Sequence, residues 1–192
     1  METAAFHARP AGPLDSHRKY LMHVALDNGQ DYLRLLQRED ERPPIQTPDQ
    51  YKAIRYFLNA IESMNNVPEY LFWERSPDGS SKDLKNFITQ VRATEPCLAR
   101  IAEIANAYKH CGRFDSTKLH ARDLSTGIVS GSISIHDGRL VSVQIDYHFD
   151  GIKPEHRKVL EEGWHFWFDY LNGGREILAD GTVLECTARE DG

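Results

Sequence analysis

The spacing of apolar residues changes once along this 192-residue chain, near residues 112–118, and that change restricts the fold more than any single motif. Before it, apolar residues recur every three or four positions and so share one face of a helix. After it, Val129, Ile133 and Ile135 alternate with Ser130, Ser132 and Ser134. Val141, Val143, Ile145, Tyr147 and Phe149 then alternate with Ser142, Gln144, Asp146, His148 and Asp150. A period of two is that of a strand with one oily and one wet face. The pattern therefore predicts an α+β chain, with a four-helix bundle first and an antiparallel hairpin layer packed on a long C-terminal aromatic helix afterwards.

The boundaries follow from local chemistry. Residues 1–14 lack periodicity and read as a flexible arm. Residues 15–113 read as the bundle. Its first helix carries Leu21, Val24, Ala25, Asn28, Tyr32, Leu35 and Leu36 on one face, with Asn28-Gly29 weakening its middle. The second starts at Thr47-Pro48-Asp49-Gln50, where threonine caps and proline fits the first turn, and it ends near Asn66 because Pro68 stops or kinks it. A third begins at Ser80 or Ser81. The fourth runs from about Glu95 to Cys111 with Leu98, Ile101, Ile104, Ala105 and Tyr108 inward. Residues 114–192 read as hairpin, helix and hairpin. The first hairpin turns at His136-Asp137-Gly138-Arg139, and only a register with a bulge keeps its apolar residues together, setting Ile133 opposite Val143 and Ile135 opposite Val141. The last helix, from about Pro154 to Asn172, carries Leu160, Trp164, Trp167, Phe168 and Leu171 toward the hairpin, with Gly173-Gly174 as a left-handed stop. A second stripe of Val159, Gly163, Phe166 and Tyr170 exceeds what one hairpin covers, which points to a further contact.

The end of the fourth helix holds the densest polar cluster, Asn106, Lys109 and His110, three or four residues apart and so on one side of the last turn. Cations there also suit the negative end of the helix dipole. The bundle, with Phe57-Leu58-Asn59-Ala60 in its second helix and the Asn106-x-x-Lys109-His110 ending, resembles the HEPN-like helical-bundle domains of uncharacterised bacterial and phage proteins. The resemblance covers residues 15–113. It implies a homodimer and, in active members, a metal-independent ribonuclease in which an arginine and a histidine separated by four to six intervening residues flank the phosphate. By that resemblance His110 would move the proton, Lys109 and Arg113 would hold phosphate, and Asn106 would orient the site. The sequence departs from the pattern, since Arg100 and His110 are too far apart. The pairs that fit, Arg18 with His23 and Arg113 with His120, lie in the first helix and across the bundle exit, and about two such pairs arise by chance.

Other chemistry is less well supported. Asp146, His148 and Asp150 share the wet face of one strand and are the candidates for a metal, but ligands spread along a flat strand do not converge without a bulge. His120 or His165 would have to fold over them. Cys97 follows Pro96 at a helix start, a place that lowers a thiol pKa, yet it has no assignable partner. Three cysteines in no metal spacing read as reduced thiols of a cytoplasmic protein. Phosphate loops, nucleophile elbows and zinc signatures do not occur. No apolar run is long enough to cross a bilayer.

With 29 acidic and 23 basic residues, a broad grip on nucleic-acid backbone is disfavoured. Residues 92–122 are nevertheless locally basic, with six Arg and Lys against three acids, so RNA contact, if any, belongs there. The expected function is a non-catalytic interaction or regulatory module, a homo-oligomer or partner of another protein, without membrane or cofactor. The alternative is the ribonuclease.

Overall fold

The computed structural model describes residues 14–40, 48–109, 118–119, 123–136 and 139–186. The arm over residues 1–13, His110, Arg113 and His120 lie outside them. The fold is α+β, with five helices and two small antiparallel sheets among the described residues. No helix among the described residues is long and apolar enough to cross a membrane.

Helix α1 comprises an α-helical turn His17–Tyr20, a π-helical segment Leu21–Ala25 and an α-helical segment Leu26–Asp40. Ser16 caps it, its hydroxyl accepting from the Lys19 N–H at 3.2 Å. Helix α2, Pro48–Arg75, passes through Pro68 without ending. The proline ring removes one backbone hydrogen bond, but Val67, Pro68, Leu71 and Phe72 are all buried, and that packing carries the helix two turns further than its sequence predicts. Helix α3, Ser81–Thr94, opens with a full capping box: Ser80 Oγ accepts from Asp83 N–H while the Asp83 carboxylate accepts from Ser80 N–H. Helix α4 is Pro96–Lys109.

Strands β1, Ser125–His136, and β2, Arg139–Ile152, form the long hairpin. Ile133 stands opposite Val143, as the alternation requires. The register then shifts, so that Ile135 faces Leu140 rather than Val141 and His136 faces Arg139. The extra residue sits within β2, not in the turn. A second shift falls between Thr126 and Gly127, which leaves Asp150 unpaired between Phe149 and Gly151. The base of the hairpin is tied down: Leu124 and Ile152 are buried, Lys153 N–H donates to Leu124 O at 3.0 Å, and Arg157 Nε donates to Ile152 O at 2.8 Å.

Helix α5, Pro154–Leu171, ends at Gly173, whose φ of +80° is the left-handed conformation glycine permits. Its buried face is His156, Val159, Leu160, Gly163, Phe166, Trp167 and Tyr170. This corrects the expected orientation, because Phe168 points to solvent and the supposed second stripe is the inner one. The covering comes from the bundle. Trp164 Nε1 donates to Leu26 O of α1 at 3.1 Å, and Arg18 Nη2 of α1 donates to Leu171 O at 2.8 Å. Gly163 lies so close to Ile101 of α4 that a Cβ there would overlap it. Gly29 of α1 plays the matching part, with a Cβ there falling 2.6 Å from Trp164 and 2.8 Å from Met64. Two glycines thus let α1 and α5 close over Met64. The short hairpin of β3, Arg175–Ile177, and β4, Val183–Glu185, follows, with its turn residue Gly181 at a φ of +94° against the backbone of α3.

Candidate functional site

The polar cluster at the end of α4 is only partly described. Asn106 is half-buried and lines a groove of about 420 Å³ with Arg92, Glu103 and Lys118. Arg92 reaches across to Asn65, its Nη2 donating to Oδ1 at 3.0 Å. Lys109 is committed elsewhere: its Nζ lies 2.6 Å from Glu62 Oε1 of α2. That half-exposed ion pair links the C-terminal end of α4 to α2. Tyr108, expected inward, is 49% exposed, because Ala105 and Ala107 take the buried positions of the last turn. His110 and Arg113, the other two members of the catalytic set, fall outside the described residues.

The metal candidates Asp146, His148 and Asp150 all lie on β2, within the stretch 139–150 of which the backbone alone is described. Asp146 pairs with Ser130 and His148 with Ile128, whereas Asp150 is the extra residue of the second register shift, so the three are not evenly spaced along the strand. His165 is exposed on α5. Among the described residues no group of His, Cys, Asp and Glu is placed to hold a metal ion. Cys97 does not carry the lowered pKa that its helix-start position suggests. Burial pushes its thiol upward, and the carboxylate of Glu95 pushes in the same direction, so it stays a protonated core side chain.

A different polar assembly has no counterpart in the sequence reading. At the start of α1, His17 is buried, and both ring nitrogens are engaged: Nδ1 with Glu74 Oε2 at 2.9 Å and Nε2 with the Tyr170 hydroxyl at 3.0 Å. The His17 backbone N–H also donates to Glu74 Oε2, at 2.6 Å. Because a carboxylate only accepts, the Nδ1–H donates to Glu74, and Nε2 then accepts from the Tyr170 O–H. Burial is the largest influence on His17 and holds its pKa below the usual histidine value, although Glu74 pulls the other way. Glu74 is itself held below the usual carboxylate range: burial raises it, and the two hydrogen bonds from His17 outweigh that. The chain Glu74–His17–Tyr170 joins α2, α1 and α5. The spacing of Tyr70 and Glu74 marks one helical face beyond Pro68, but nothing in it points to His17 or Tyr170.

The fold and these contacts define a class no narrower than an α+β protein with a helical core and a hairpin appendage. Comparison with family models, with curated proteins and with solved structures gives no match.

Proposed function

We propose that the protein is a non-catalytic interaction module, a HEPN-like bundle used as a scaffold, that self-associates through the face where α1 and α5 meet. The observation that carries this reading is an apolar strip left open there. Two hydrogen bonds bracket the helix crossing, Arg18 to Leu171 O at one end and Trp164 to Leu26 O at the other. Met22 lies one turn from both Arg18 and Leu26, and Phe168 lies one turn from Trp164, so both fall inside the bracket. Each is largely exposed, at 47% and 45%. Phe168 stacks on the Trp164 ring, with centroids 5.1 Å apart and planes 12° from parallel, which gives a flat and fixed aromatic surface. Such a surface contributes most when a partner removes it from water.

Light scattering behind gel filtration tests the proposal. A dimer at micromolar concentration that becomes a monomer in Phe168→Glu is the expected result. A monomeric wild type overturns it, and so does RNA cleavage in EDTA that disappears in His110→Ala.

A further inference from the structure

A cavity of about 400 Å³ opens beside the start of α1. Its walls include Asp15, His17, Glu69, Tyr70, Trp73 and Glu74. Four of these come from α2 at the spacing of a single helical face, with Glu69 one turn from Trp73 and Tyr70 one turn from Glu74. Each carboxylate on that face therefore has an aromatic ring directly along the helix.

The rings are fixed before any ligand arrives. Tyr70 stacks on Tyr20 with centroids 4.0 Å apart, and Trp73 meets Phe72 edge to face at 5.0 Å. The charge in the wall is one-sided. Asp15 is paired with Lys19 at 2.8 Å, and Glu74 gives one oxygen, Oε2, to His17. Glu74 Oε1 and both oxygens of Glu69 have no hydrogen-bond or ion-pair partner among the described residues. His17, at the cavity wall, is hydrogen-bonded on both ring nitrogens.

Carboxylates repel an anion. A hard metal ion takes converging oxygens and gains nothing from indole, and no metal-holding group occurs among the described residues. Rings and carboxylates together suit an organic cation, whose methyl or methylene groups lie on the aromatic faces while its charge meets the carboxylates. The volume is that of a small-molecule site. The geometry points to a binding site for an alkylammonium group at this cavity, with Glu69 and Glu74 meeting the charge and Trp73 and Tyr70 the carbon. A free amine and a lysine side chain present the same chemistry.

Calorimetric titration of the full chain with tetramethylammonium chloride and with N-acetyl-lysine amide, against sodium chloride at equal ionic strength, tests the assignment. Saturable heat with at least one cation is expected, weakened about five- to tenfold in Glu69→Gln and in Trp73→Leu. Response to both probes assigns the site to small amines, and response to the lysine probe alone assigns it to a lysine side chain. Glu69 is exposed, so Glu69→Gln leaves the fold intact and reads the site even where Trp73→Leu unfolds. No saturable heat with either probe overturns the inference, as does binding undiminished in Glu69→Gln.

Discussion

At the scale of single residues, His17 carries the most structural information for its size. It is a buried imidazole whose two nitrogens connect three helices, and it stays neutral because burial outweighs the attraction of Glu74. The unfolded chain takes up a proton at this side chain near pH 6.5, whereas the folded chain does so only at lower pH. Stability is therefore fully present above about pH 6.5 and falls as pH drops from there toward the folded-state value. Glu74, whose carboxylate is favoured by folding, acts in the same direction at lower pH. Urea denaturation at a series of pH values should show falling stability between pH 7 and pH 5, and His17→Gln should flatten that slope. An unchanged slope in the variant would remove His17 as its source. Nothing in Ser16-His17 as sequence signals this role, since the partners stand 57 and 153 positions away.

At the scale of elements, starts were easier to read than ends. The Ser80 capping box, Pro48 and Pro154 at helix starts and the Gly173 stop are local chemistry, and the elements begin or end where that chemistry places them. Pro68 is the counterexample, because the energy that carries α2 past it comes from side chains packed by other helices. The bulge in β2 was required by the alternation, but its position at Val141, two residues inside the strand, was not. Gly163 is a site of close approach, and its neighbours are the side chains of Ile101 and Met64. Gly163→Ala should place a methyl group against Ile101 in a fully buried site. Overpacking of this kind costs ~1–3 kcal/mol, and alanine's better helix propensity returns only about 1 kcal/mol. A net loss of up to about 2 kcal/mol in chemical denaturation is expected, and a stabilised variant would show that α4 and α5 are less closely packed than drawn.

At the scale of the whole molecule, the change of hydrophobic period near residue 115 is not a break in the core. Buried Val159, Leu160, Phe166 and Trp167 of α5 belong to one cluster with Leu21, Phe57, Met64 and Ile101 of the bundle, and Leu124 and Ile152 at the hairpin base join it. Trp73 on α2 and Trp164 and Trp167 on α5 report on both regions. Unfolding followed by tryptophan fluorescence and by far-ultraviolet circular dichroism should therefore give coincident transitions. Separate midpoints would mean that the two regions unfold as independent units. The sequence by itself determined the α+β class, the helix starts and the pairing of Ile133 with Val143, because capping, proline geometry and period-two alternation act over a few neighbouring residues. Only the tertiary structure decided which face of α5 is buried, that α2 continues through Pro68, and that His17, Glu74 and Tyr170 meet. Those outcomes depend on which distant surface removes a side chain from water, and residues far apart in the chain carry no local mark of one another.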